Sequence, residues 1–231
     1  MPDNDLKPAR ELAQHSRRFP NETPEYRRAR TDLLAEEIEL RRHIERVARQ
    51  RRELPPGGEA QDVRLRDEND RVVGLGDLFG EFDTLVTYFW MFGPQRPRPC
   101  PMCTTFLDAF DLPVRTLSQR VAFAVLGRSP VARQLAFARE RGWRYLKFHA
   151  VTDDAWARTY RALGPKDEEW PALDVWTKRD GVVRHFWAGE LGGTEDPGQD
   201  PRGAPDPTPL WNILDLTPGG RGTDWYPKLE K

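Results

Sequence analysis

The sequence predicts an α/β fold in which helices flank a central sheet, preceded by a long helix and a β-hairpin. Three observations predict it. Nearly continuous apolar segments alternate with helical segments over residues 84–176. Apolar side chains recur at helical spacing over residues 24–53, and they alternate with charged side chains in the short segment 62–73. The first pattern is typical of a sheet covered by helices, and the other two add the N-terminal helix and the hairpin.

Composition limits the functional classes that fit this chain. Its net charge is −1 over 231 residues, so overall charge gives no reason to expect nucleic acid or an anionic membrane as a partner. No apolar run approaches the ~20 residues that span a bilayer. The first residues lack the basic segment and apolar core of a secretory signal. We therefore expect a cytoplasmic protein without a membrane partner.

The N-terminal part is predicted to be an arm followed by a long amphipathic helix. Thr23 and Pro24 fit the cap and the first position of that helix. We therefore divide the chain into residues 1–58, the arm and helix, and residues 59–231, the α/β domain with an exposed proline-rich loop at 194–209. This helix is longer than a compact domain needs, so two arrangements are open: it lies across the domain, or it pairs with a second copy of the chain in a homodimer.

The α/β domain is predicted from its apolar segments. Residues 84–92 form the strongest strand, with few charges, as expected for a central strand buried on both faces. The other elements follow in alternation, with strands at 121–126, 145–151, 172–176 and 182–187, and helices at 130–141, capped by Ser129, and at 153–163.

The only two cysteines, Cys100 and Cys103, form a Cys-Pro-Met-Cys motif between the strongest strand and a helical segment. Thiolate is the reactive form of cysteine, and a helix N-terminus favours it through partial positive charge and free N–H donors. Pro101 fits the first helical turn, where its missing N–H costs nothing. Arg96 and Arg98 are expected to add positive potential. Cys100 is therefore the predicted attacking thiolate, and Cys103 the resolving thiol of a redox pair.

Three other interpretations of the cysteine pair are open. A zinc site needs further ligands, and His149 and His185 have no spacing that pairs with the motif. A structural disulfide across so short a loop would stabilise the fold little, because that stabilisation grows with loop length. Two buried, inert cysteines are not expected directly after a segment rich in proline and arginine. The redox interpretation is therefore favoured, with no metal and no cofactor.

The order of elements around the motif resembles the thioredoxin fold, in which a Cys-x-x-Cys follows the central strand and a proline opens a strand before a terminal hairpin. The predicted hairpin at 62–73 resembles the N-terminal strands of peroxiredoxin-type proteins. From about residue 24 to its end, the chain more closely resembles a bacterial thioredoxin-like family, "domain of unknown function 899" (DUF899). The matching stretches are residues 51–55, 88–93, 100–103, 128–130 with 141–143, and 214–221.

The resemblance implies an activity and a binding groove. Cys100 would attack a disulfide to give a mixed disulfide, and Cys103 would displace the product in thiol–disulfide exchange. Pro171 matches the cis-proline that faces the cysteines in that fold, so the backbone beside it would bind an extended substrate and Trp170 would line the groove. An ordinary proline at the start of a strand is the alternative for Pro171. The expected partners are disulfide-containing proteins or small thiol substrates.

Two other functions are open at this point. The hairpin is peroxiredoxin-like and suggests a thiol peroxidase, although no threonine stands three or four residues before Cys100, where the peroxidatic motif has one. A non-enzymatic binding or scaffold protein would instead hold a partner with the long helix and the loop at 194–209, and would use the cysteines as a redox switch.

Overall fold

In the computed structural model, which describes residues 6–189, seven strands form one mixed sheet. The strands are β1 (Arg64–Arg66), β2 (Val72–Gly74), β3 (Thr84–Trp90), β4 (Ala122–Gly127), β5 (Phe148–Val151), β6 (Ala172–Arg179) and β7 (Val182–Ala188). Their order across the sheet is β2-β1-β5-β4-β3-β6-β7. β3, β4 and β5 run parallel, whereas β6 and β7 continue the sheet antiparallel. This confirms the predicted thioredoxin-like α/β fold.

Five α-helices accompany the sheet in the described part of the chain. They are α1 (Ala9–Gln14), α2 (Pro24–Arg52), α3 (Pro101–Leu117), α4 (Val131–Arg141) and α5 (Asp154–Thr159). A short 3-10 helix, Leu75–Phe79, joins β2 to β3. The chain divides between Pro55 and Pro56 into two compact units. Within residues 6–189, no helix has both the length and the apolar character required to cross a membrane.

The first unit contains a helical hairpin built on α2. The Thr23 hydroxyl accepts a hydrogen bond from the N–H of Tyr26 at 3.1 Å, which caps α2 as predicted. Small and branched side chains bury the contact between α1 and α2, and these are Ala9, Ala13, Ala35 and Ile38. The prediction of a long N-terminal helix is confirmed.

The second unit buries a hydrophobic cluster on each face of its sheet, because successive side chains of a strand point to opposite faces. Leu85 of β3 packs on one face in the same cluster as Trp156 of α5. Tyr88 and Trp90 of β3 pack on the other face, in a cluster that α3 and α4 complete. The helix that begins after Cys100 therefore lies against the Tyr88 face.

The predicted hairpin is β1 with β2, and it extends the sheet. Leu65 of β1 pairs with Val73 of β2 on one side and with Val151 of β5 on the other. The hairpin is therefore part of the same sheet as the central strands. This confirms the added hairpin that the alternating pattern predicted.

The cap predicted for the helix at 130–141 is wrong. Pro130 occupies the cap position, and no side chain caps the helix. The hydroxyl of Ser129, which was expected to do so, instead accepts a hydrogen bond from Arg133 at 3.1 Å. The helix ends as predicted, because Gly142 adopts a left-handed conformation with φ of 77°.

The strand predicted at 145–151 begins later, at Phe148. The carboxylate of Asp111 in α3 accepts the N–H groups of Arg144, Tyr145 and Leu146. These amides are therefore held by a helix and cannot join the sheet. This pairing depends on the tertiary fold and has no local sequence signal.

The helix predicted at 153–163 is shorter than expected and ends at Thr159. Arg161 has a positive φ of 55°, which helical geometry does not allow. The predicted proline-rich loop at 194–209 lies outside the described residues.

Candidate functional site

Cys100 and Cys103 lie in the first turn of α3. Cys100 occupies the cap position and Pro101 is the first helical residue, as predicted. The N–H of Cys100 donates to the carbonyl of Met91 at 3.0 Å, which ties the start of α3 to the end of β3. Cys103 is only 1% exposed, whereas Cys100 is partly exposed, and both are free thiols. Solvent therefore reaches one sulfur of the pair and not the other.

The environment of Cys100 favours its thiolate and lowers its pKa to about 6. The largest cause is the hydrogen bond that the Cys103 thiol donates to it, and partial burial acts in the opposite direction. The backbone N–H groups of Cys103 and Met102 also donate to this sulfur, and Arg96 adds positive charge. At neutral pH Cys100 is therefore mostly the nucleophilic thiolate.

Cys103 has the opposite character, because burial raises the pKa of its thiol well above the ordinary value. The hydrogen bond to Cys100 raises it further. The hydroxyl of Tyr88 and the N–H of Met91 hydrogen-bond the same sulfur and partly oppose this rise. At neutral pH Cys103 is therefore a protonated thiol directed at the Cys100 thiolate.

Tyr88 is a site residue that the sequence did not identify. It lies on β3, is 4% exposed, and stacks on Phe106 of α3 with ring centroids 4.1 Å apart. Burial raises the pKa of its hydroxyl, and the neighbouring Cys103 and Cys100 raise it further. The only signal in the sequence is a tyrosine inside an apolar strand, since a buried tyrosine hydroxyl needs a hydrogen-bond partner.

Two charged side chains from distant segments hold the loop that leads into Cys100. Glu169, which is 6% exposed, accepts the N–H of Gly93 at 2.9 Å and the Nε of Arg96 at 3.0 Å. A Cβ atom at Gly93 would lie 2.1 Å from Oε1 of Glu169, so a larger residue would displace the carboxylate. Arg133 of α4 donates to the carbonyls of Gly93 and Pro97, both at 3.1 Å. Neither Glu169 nor Arg133 was predicted.

The two arginines expected to act on Cys100 differ in their contacts. Arg96 contributes to the lowered pKa of Cys100 and is oriented by its buried carboxylate partner. Arg98 instead forms an ion pair with Glu140, with Nη2 and Oε1 2.6 Å apart. Arg96 therefore adds positive charge at Cys100, and Arg98 ties the same loop to the end of α4.

The register of β3 and β6 brings the predicted groove residues to the end of β3. Phe89 pairs with Ala172, so Pro171 lies beside the segment that continues into residues 91–99, the cysteine loop that leads to Cys100. No cis peptide bond occurs among residues 6–189, and the cis-proline implied by the resemblance is therefore wrong here. The chain uses the intrinsically favoured trans isomer instead. Trp170 is 41% exposed, and the substrate-binding role of both residues stays a prediction.

The two histidines considered as zinc ligands lie in other surroundings. Nε2 of His185 is 2.8 Å from Oδ1 of Asp174. Asp174 is in register with Thr87, so this pair lies on the face opposite Tyr88. His149 is buried, and its Nδ1 has no hydrogen-bond partner among the described residues. Within residues 6–189, no group of three or more histidine, cysteine, aspartate or glutamate side chains is placed to hold a metal ion.

Comparisons with known proteins identify a family and several similar structures. The family model described as "Bacterial protein of unknown function (DUF899)" matches residues 16–231. No curated protein matches the sequence. A peroxiredoxin-like protein from Aquifex aeolicus is 15% identical, with 59% of this chain and 75% of that chain covered and a TM-score of 0.42.

Two further solved structures have the same degree of similarity. An uncharacterized conserved protein from Geobacillus kaustophilus is 16% identical, with 62% of this chain and 73% of that chain covered and a TM-score of 0.44. The pneumococcal exposed lipoprotein thioredoxin from Streptococcus pneumoniae is 14% identical, with 58% of this chain and 92% of that chain covered and a TM-score of 0.41.

Proposed function

This chain belongs to the bacterial DUF899 family, and we propose that it is a dithiol–disulfide oxidoreductase whose redox pair is Cys100 and Cys103. The observation that carries the proposal is the arrangement of the two thiols. A partly exposed sulfur at a helix N-terminus accepts a hydrogen bond from a buried sulfur one turn away. Such an arrangement provides a nucleophile that reaches substrate and a second thiol that reaches only the first.

The reaction proceeds by two exchanges. The Cys100 thiolate attacks a substrate disulfide RS–SR′, forming a mixed disulfide with RS and releasing R′S⁻. Cys103 gives its proton to the released thiolate and then attacks the sulfur of Cys100, which releases RS⁻ and closes the Cys100–Cys103 disulfide. The protein loses two electrons and the substrate disulfide gains them. A reducing partner restores the dithiol.

We propose that the substrate is a disulfide-containing protein or a small thiol substrate that binds along Trp170 and Pro171, where an exposed indole lies next to the start of β6. The cytoplasm is the compartment that fits, because thiol pairs there are kept reduced and available for exchange.

The first test is the reduction potential of the pair. We expect a reversible two-electron transition in the range of thioredoxin-like proteins, roughly −270 to −120 mV, when alkylation is followed by mass shift in defined thiol/disulfide buffers. A pair that never forms a disulfide, or that resists alkylation until a chelator is added, would contradict the proposal.

Single substitutions test the order of attack. Cys100→Ser should abolish disulfide exchange, whereas Cys103→Ser should accumulate mixed disulfides that a gel without reductant displays. Exchange by Cys100→Ser at the wild-type rate would rule out the mechanism. Peroxide consumption by the reduced wild type, without exchange of disulfides, would favour the thiol peroxidase instead.

A further inference from the structure

The second exchange step requires a negative charge on the buried sulfur of Cys103. Cys103 attacks as a thiolate, yet the residue is only 1% exposed and burial opposes its ionisation. In the reduced protein its proton is directed at the Cys100 thiolate. Once Cys100 is in a mixed disulfide, that acceptor has lost its charge. Another group has to stabilise the negative charge on Cys103.

The buried carboxylates among residues 6–189 have hydrogen-bond partners other than Cys103. Asp111, the buried acid of α3, accepts backbone N–H groups of residues 144–146. Asp174 is in register with Thr87 and so lies on the opposite face of the sheet, where it binds His185. Besides Cys100, the N–H of Met91 and the hydroxyl of Tyr88 hydrogen-bond the Cys103 sulfur, and Tyr88 and Cys103 lie in the same buried cluster.

We propose that Tyr88 is a catalytic hydrogen-bond donor to the Cys103 sulfur and acts in the second exchange step. The inference rests on the proposed function. The ring is held by its stack on Phe106, so the hydroxyl is positioned before the reaction begins. When Cys103 passes its proton to the released thiolate R′S⁻, the Tyr88 O–H donates to the new Cys103 thiolate. The tyrosine keeps its own proton throughout, and Cys103 then forms the bond to Cys100 as RS⁻ leaves.

The role can be separated from the first step by following both thiolates released from dithiobis-nitrobenzoate, whose product is coloured. Mixed with equimolar reduced protein in a stopped-flow instrument, the wild type should release one thiolate as Cys100 attacks and a second as Cys103 resolves the mixed disulfide. In Tyr88→Phe the stack on Phe106 is retained and only the hydroxyl is lost. We expect an unchanged first phase and a second phase slowed by about tenfold or more, as for loss of a hydrogen bond to a charged group.

The pH profile distinguishes a chemical role from a structural one. Without the Tyr88 hydrogen bond, Cys103 ionises at higher pH, so the second phase of Tyr88→Phe should recover as pH rises. The matched control is Tyr145→Phe, which removes a hydroxyl from the edge of the same hydrophobic cluster and should leave both phases unchanged. A second phase at the wild-type rate in Tyr88→Phe, or equal slowing of both phases, would overturn the role of Tyr88. A wild type that releases no thiolate would instead contradict the proposed function.

Discussion

The two sulfurs of the site acquire opposite acidities from residues a few ångströms apart. Cys100 is at the N-terminus of α3, where backbone N–H groups and Arg96 stabilise a negative charge. Cys103 points into the cluster formed by Tyr88, Trp90 and their neighbours, where a charge is costly. Each sulfur also strengthens the difference, because the thiol of one donates to the thiolate of the other. The same hydrogen bond therefore lowers the pKa of Cys100 and raises the pKa of Cys103.

His149 provides a residue-scale prediction about acid stability. Burial lowers the pKa of its imidazole from 6.5 to about 4, while the nearby Asp67 partly opposes the shift. The unfolded chain protonates this histidine below pH 6.5, whereas the folded protein does so only near pH 4. The free energy of unfolding therefore falls as pH decreases from 6.5 toward 4. Between pH 7 and pH 5 this group alone should reduce the free energy of unfolding by about 2 kcal/mol.

Urea denaturation of wild type and His149→Phe at the two pH values measures this contribution. Titration of the carboxyl groups changes the stability of the two proteins by the same amount. The difference between the pH dependences of wild type and variant therefore isolates the contribution of the histidine. The substitution should remove the His149 contribution, while His43→Gln, at an exposed position on α2, should retain it. Identical pH dependence in wild type and His149→Phe would contradict the prediction.

At the residue scale, the sequence predicted the contacts between residues that are close in the chain and missed those between distant segments. Cys100 and Cys103 were predicted as neighbours on a helix terminus because their spacing alone determines it. Tyr88 contacts the site only because α3 packs on β3. Glu169 contacts it from a chain segment more than seventy residues away in sequence. No local pattern encodes those contacts. The implied cis isomer at Pro171 came from resemblance, and the structure does not have it.

At the scale of elements, the cysteine loop is held in place by side chains from other segments of the chain. It joins β3 to α3, and its proline-rich sequence cannot form regular secondary structure. Glu169 before β6 and Arg133 of α4 bind its backbone through Gly93. The position of Cys100 therefore depends on two elements that follow it in the sequence. Strand and helix order was predictable from periodicity, but this support was not.

Removal of the buried carboxylate should destabilise the protein. In Glu169→Ala the N–H of Gly93 and the guanidinium of Arg96 lose their acceptor. We expect a loss of about 2–3 kcal/mol in the free energy of unfolding, measured by urea denaturation at pH 7, because a buried charged hydrogen-bond acceptor is removed.

The matched control is Glu140→Ala, whose carboxylate also binds an arginine of this loop. Glu140 is half exposed in its ion pair with Arg98, and exposed pairs contribute little to stability. Its removal should leave the free energy of unfolding nearly unchanged. Equal losses in the two variants would show that burial of Glu169 is not what stabilises the loop.

At the scale of the whole molecule, α2 carries an apolar surface that the described residues leave open. Tyr26, Leu33 and Leu40 recur every seven residues and are 55%, 53% and 58% exposed, and Ile44 beside them is 57% exposed. A seven-residue repeat of apolar side chains is the pattern by which helices pair with one another. The opposite side of α2 is already covered by α1. We propose that a second copy of this chain covers the open stripe.

Glutamate substitutions in the stripe test this pairing. Leu33→Glu combined with Leu40→Glu would bury like charges in the pair and should convert a dimer into a monomer in sedimentation velocity. Leu112→Glu, at a leucine of α3 that is 69% exposed, should leave the dimer intact. A wild type that sediments as a monomer at every concentration, or a double variant that still dimerises, would exclude the stripe as the interface. If the double variant is a monomer with unchanged disulfide exchange, dimerisation depends on α2 and the exchange reaction on α3, and neither requires the other.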